Sequence, residues 1–253
     1  MPGQVMFLLR LKTPKKGAFM PEISLTDFVN FVTRVGSARL TLVREIRSRG
    51  DYDPIRDFWR DLRDGLVTSH RDGLIDKHDL DELVNKQPEP RREHYRAAVA
   101  GYKRFLGRKS AVWFDPQPIT WQREELGIRV NPELGLLLNG QRTVIKLHFR
   151  SRSLSKRQIE CILLLMEDAL RPMSQPGDRF AVLDVQSGKL FVSDEPRWGL
   201  RPFLVGEAQA FLTMWREIDR EERLAAAERW AAERPVPAPA LRLSGDALLR
   251  VGG

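Results

Sequence analysis

The chain has 253 residues, with 42 Lys+Arg against 34 Asp+Glu, a formal net charge of +8 and 42% hydrophobic residues. This composition can fill a core and excludes a mostly disordered chain. One cysteine, Cys161, excludes an internal disulfide and a cysteine-cluster zinc site, and no apolar run is long enough to span a membrane.

The apolar run Val5–Leu9 is short and is followed by Arg10 and Lys12. A secretory leader needs a longer unbroken stretch, so a cytoplasmic location is expected. Residues 1–19 read as an arm or an edge strand, and Met20-Pro-Glu-Ile-Ser-Leu-Thr-Asp reads as a domain start. The region 20–106 reads as helical. Ser24 and Asp27 fit a capping box ahead of Phe28, Val29, Phe31 and Val32, and Gly36 is placed to end that helix. An amphipathic segment with Leu40, Leu42, Val43 and Ile46 follows. Asp53 and Pro54 suit the start of a helix carrying Ile55, Phe58, Trp59, Leu62, Leu66 and Val67 at helical spacing. Arg71-Asp-Gly73 is a turn, residues 76–86 a short acidic helix, and residues 91–106 a further helix stopped by Gly107.

Residues 107–205 change pattern. Strands are predicted over Ser110–Phe114, Ile119–Val130, Gly135–Leu138 and Thr143–Phe149, with Asn139-Gly140 as a hairpin turn. Ser153 or Ser155 can cap a helix over Lys156–Leu170, whose apolar positions are Ile159, Ile162, Leu163 and Met166. Strands over Phe180–Val185 and Lys189–Val192 follow. A helix over 206–234 carries Phe211, Trp215 and Ile218 on one stripe, and Pro235, Pro237 and Pro239 stop it before a Pro-rich tail, 235–253. The expected class is α+β. It comprises a helical N-terminal half, a mainly antiparallel β-β-β-α-β-β sheet and a long C-terminal helix, with 20–234 as one unit.

Positive charge is concentrated. Between Arg142 and Arg157 there are six basic residues and no acid: Arg142, Lys146, Arg150, Arg152, Lys156 and Arg157. Lys103, Arg104, Arg108 and Lys109 form a second cluster. Such groups suit phosphate backbones, because neutralising phosphates releases counterions. Strand alternation puts Lys146, His148 and Arg150 on one face and Ile145, Leu147 and Phe149 on the other. The apolar row is expected to pack on the helix from Lys156, leaving the polar row to solvent or a ligand.

Standard catalytic signatures are missing from the sequence. It holds no P-loop, no Gly-x-Gly-x-x-Gly after a strand, and no pair of histidines at helical metal spacing among His70, His78, His94 and His148. Cys161 sits among Ile159, Ile162 and Leu163 and reads as a buried thiol.

The order helix, three-strand meander, helix, strand over about residues 105–185, with Gly135-Leu-Leu-Leu-Asn-Gly-Gln-Arg-Thr-Val-Ile-Lys-Leu-His-Phe149, resembles the core of the PD-(D/E)XK (RecB-like) nucleases. In that family carboxylates hold a divalent metal that activates water, and a lysine helps to position it. The resemblance implies Glu133, Asp184 and Lys146 as catalytic candidates, with Mg2+ or Mn2+ as the cofactor if the site is active. Yet Lys146 falls where the acid of acid-x-lysine belongs, and in the other register Val144 takes the acid's place. The expectation is therefore a basic nucleic-acid-associated accessory protein with a catalytically inactive nuclease-like core, working in DNA processing or defence. It would bind through Arg142, Lys146, His148, Arg150, Arg152, Lys156 and Arg157, joined by Lys103, Arg104, Arg108 and Lys109. An active metal-dependent nuclease, and a subunit that meets a protein partner through the C-terminal helix, are the alternatives.

Overall fold

A computed structural model of the chain describes residues 21–49, 57–73, 77–150, 152–193 and 198–233. The readings made for the first nineteen residues, Met20, the Asp53-Pro54 cap and the Pro-rich tail lie outside these residues.

Local chemistry sets most element boundaries. Ser24 ends the short strand β1 (Glu22–Ser24) and caps α1 (Leu25–Thr33), its Oγ accepting the Asp27 N–H at 3.0 Å. Gly36 does not close α1. At φ +57° it is the N-terminal cap of α2 (Ser37–Ser48), a left-handed conformation that glycine adopts without a Cβ clash. Next come α3 (Arg60–Arg71), α4 (Lys77–Asn85) and α5 (Glu89–Leu106). α5 begins at Glu89 and takes in Pro90, because the first turn of a helix has no use for the missing N–H.

Strands β2 (Ala111–Phe114), β3 (Ile119–Arg123), β4 (Leu126–Val130), β5 (Leu134–Leu138) and β6 (Gln141–His148) follow. The stretch 119–130 is a hairpin rather than one strand, turning at Glu124 with φ 47°. Two adjacent glutamates at its centre favour a solvated turn. Asn139 (φ 48°) and Gly140 (φ 85°) form the β5–β6 turn, where both central residues need positive φ. Ser155 and Gln158 make a reciprocal capping box at the start of α6 (Lys156–Leu170). β7 (Arg179–Asp184), β8 (Lys189–Val192) and α7 (Arg201–Ala232) are the last strands and α-helix of the described residues.

The class is α+β. The strands form two sheets, β1-β4-β3 and β2-β5-β6-β7-β8. The larger is antiparallel except for β6 and β7, which run parallel and are joined through α6. One face of this sheet, with Val144, Phe180 and Val182, shares a core with α6, α1, α7 and the small sheet. The other face, with Leu134, Leu136, Ile145, Leu147 and Leu183, lies under α3, α4 and α5, against Leu62, Leu66, Leu80, Tyr95 and Tyr102. Burying each large apolar side chain is worth about 1.5–3 kcal/mol.

This layering corrects one expectation. Ile145, Leu147 and Phe149 pack beneath α3–α5, not on α6, and Trp59 stacks on Phe149 at 5.5 Å between ring centres. α6 covers the opposite face, so the row of Lys146 and His148 is partly covered, with Lys146 showing only 15% of its side chain.

Candidate functional site

Glu133 stands just before β5 and Lys146 within β6, on neighbouring strands. Lys146 Nζ is ion-paired with Glu133 and also donates to the Asn131 carbonyl oxygen at 2.7 Å. The second Glu133 oxygen accepts the Leu147 N–H at 2.8 Å. Both carboxylate oxygens therefore have protein donors, and the lysine's charge is offset. Asp184, at the end of β7, is buried and lies opposite His148 in the strand register, not beside Glu133. Val144 is part of the core. Among the described residues no three His, Cys, Asp or Glu side chains gather as a metal site. A cavity of about 490 Å³ opens beside Glu133, bounded by Trp113, Arg71, Asp115 and Asn131.

The basic residues divide into two groups. Arg142 donates to Asp178 at 2.8 Å and lies 3.8 Å above the Phe114 ring centre. Lys103 pairs with Asp81 at 2.6 Å, Arg104 donates to the Gln186 carbonyl oxygen at 2.7 Å, and Lys109 bonds the Phe105 carbonyl. His148 Nε2 is 3.0 Å from the Arg152 carbonyl oxygen, and burial holds its pKa below the ordinary histidine value, so the ring is largely neutral at pH 7. These side chains are committed to neighbours. The other group consists of Arg150, Arg152, Lys156 and Arg157, exposed where β6 leads into α6, together with exposed Arg108. Arg157 stacks on Phe203 at 4.6 Å. Among the described residues, no carboxylate bridges to Arg150, Arg152 or Lys156.

The remaining sequence candidates are structural. Cys161 is buried, and burial pushes its thiol pKa up to about 11, far from a nucleophile's range. Tyr102, Phe105, Trp121 and Phe149 are buried, whereas Trp113 is partly covered. Reading the sequence misses a second cavity, of about 340 Å³, where Arg34, Arg39 and Arg157 meet Ser155 and Glu207. Its one local signal is Gly36 with an arginine on either side; Glu207 arrives from α7.

No protein-family model, curated protein or solved structure matches the chain. Among the described residues no helix is long and apolar enough to cross a membrane.

Proposed function

We propose that this chain is a nucleic-acid-associated accessory protein, with a nuclease-like core that binds phosphate backbones without cutting them, serving a DNA-processing or defence assembly. The carrying observation is the exposed row Arg150, Arg152, Lys156 and Arg157 at the junction of β6 and α6. Cations without carboxylate partners are the ones free to replace counterions on a phosphate backbone. The 119–130 stretch expected in the meander lies in the small sheet as the β3–β4 hairpin. The nuclease-like reading is supported instead by α5, β2, β5, β6, α6 and β7, the order that remains when that hairpin is set aside. The loss of cutting is supported by Val144 in the acid's position and by Glu133 bonded to Lys146 and the Leu147 N–H. A shared hard cation needs converging carboxylates.

The test is binding to labelled single- and double-stranded DNA and RNA across a salt series with Mg2+ or Mn2+ present, the products then run on a denaturing gel. Binding that weakens with salt and leaves the strand intact is expected. Metal-dependent cleavage, abolished by Asp184→Ala, would make the protein an active nuclease instead. No binding at low salt would remove the nucleic-acid reading.

A further inference from the structure

Three arginines, Arg34, Arg39 and Arg157, line one cavity of about 340 Å³ in which Glu207 is the one lining carboxylate. Arg39 is largely buried: it is ion-paired with Glu207, its Nε donates to the Phe31 carbonyl oxygen at 3.3 Å, and its guanidinium lies 4.3 Å from the Phe31 ring centre. Those contacts fix its plane. Arg157 is held over Phe203, and Arg34 donates to the Ala38 carbonyl oxygen at 3.4 Å and lies 4.0 Å from the Glu45 carboxylate. Burial, and then the nearby charge of Arg157, lower the Arg39 pKa, as expected where cations crowd without enough counter-charge. The cavity wall also includes Gly36 and Ser155, the caps of α2 and α6, so two helix N-termini add to a field the arginines already set.

From this cavity and its charge we infer a binding site for a phosphomonoester dianion. Three guanidiniums less one carboxylate leave an excess of +2, which matches the charge of a phosphomonoester near neutral pH (second pKa about 6) better than the single charge of a backbone phosphodiester. Arginine forks suit phosphate oxygens, whereas the Ser155 hydroxyl at the wall is engaged with Gln158 in the α6 capping box. The site can take a free phosphomonoester or the 5′-phosphate at a strand end. The assignment stands on the cavity, and only its extension to a strand end rests on the nucleic-acid reading.

The test is calorimetric titration of the full chain with inorganic phosphate, with AMP, and with a short oligonucleotide carrying either a 5′-phosphate or a 5′-hydroxyl. The 5′-phosphorylated strand is expected to bind about tenfold tighter than its hydroxyl twin, the difference one strong charge-assisted contact makes. Arg34→Ala, at a half-exposed side chain, should erase that ratio. Glu207→Gln should increase it, because it removes the competing carboxylate. If inorganic phosphate or AMP binds, Arg34→Ala abolishes it and neither oligonucleotide binds, the site holds as one for free phosphomonoesters and the nucleic-acid reading fails. If both oligonucleotides bind equally and neither inorganic phosphate nor AMP binds, the site is overturned while the nucleic-acid reading survives.

Discussion

His70 and Tyr102 form a buried polar pair between α3 and α5, the imidazole 3% exposed and the tyrosine fully covered. Nε2 meets the tyrosine hydroxyl, and Nδ1 is buried without a hydrogen-bond partner among the described residues. A bare lone pair costs less there than an unpaired N–H, which favours the neutral tautomer with the proton on Nε2. Burial lowers the His70 pKa to about 4 from 6.5. As pH falls below 6.5 the unfolded chain binds the proton first. The neutral ring's contribution is thus complete above that value and is lost progressively down to about pH 4, at about 1.4 kcal/mol per pH unit. Urea unfolding at pH 7 and pH 5 should show this loss, and His70→Gln, which can still bond Tyr102, should flatten it. An unchanged pH slope in the variant would place the titrating group elsewhere. Gly101 gives a test of packing: a Cβ there would sit 2.1 Å from the Val185 carbonyl oxygen and 2.3 Å from that of Gln186. Gly101→Ala should cost about 1–3 kcal/mol. At Gly206 in α7 nothing lies within 4 Å, so Gly206→Ala should instead stabilise by about 0.5–1 kcal/mol. Denaturant midpoints of the two variants moving the same way would contradict this.

Among the elements, α7 divides into a packed half and an exposed half. Leu204, Ala208, Phe211, Leu212 and Ile218 are buried against the core, whereas residues 220–233 are exposed. α2 fastens the junction through Arg47, which lies 4.6 Å from the Trp215 ring centre and bridges Asp219 at 3.0 Å and Glu222 at 2.7 Å. Replacing it by Ala should cost about 1–3 kcal/mol. Hydrogen exchange should be slow over Leu204–Ile218 and fast over Leu224–Ala232, and equal protection would mean that a partner or another segment covers the far half. The same elements show what a sequence can reveal. The Ser24 cap, an α6 cap at Ser153 or Ser155, the Asn139-Gly140 turn and the α7 stripe were legible, because each is decided by residues within a few positions. The packing partner of the β6 apolar row was not, because both faces of the large sheet are covered and alternation cannot say by which helix. Nor was the arginine cavity, since Arg39 and Glu207 meet only when α7 folds back over α2 and α6. The commitment of Arg142, Lys146 and Lys103 to Asp178, Glu133 and Asp81 is equally long-range, so a run of like charge in the sequence overstated how many cations face outward.

For the whole molecule, a net charge of +8 speaks to partners rather than to fold. What matters is how that charge is spent. Internal ion pairs occupy many Lys and Arg side chains without changing the net charge, while Arg150, Arg152, Lys156 and Arg157 stay exposed at the junction of β6 and α6. The most direct measurement compares the salt dependence of duplex binding by the native chain with that of a triple variant, Arg150→Glu, Arg152→Glu and Lys156→Glu. All three positions are exposed, and a glutamate at the first turn of α6 suits the helix dipole, so folding should be unaffected. Each lost phosphate contact should reduce the slope of log affinity against log salt by about 0.9, with affinity falling more than tenfold at low salt. Unchanged slope and affinity in a folded variant would show that this row does not carry the binding.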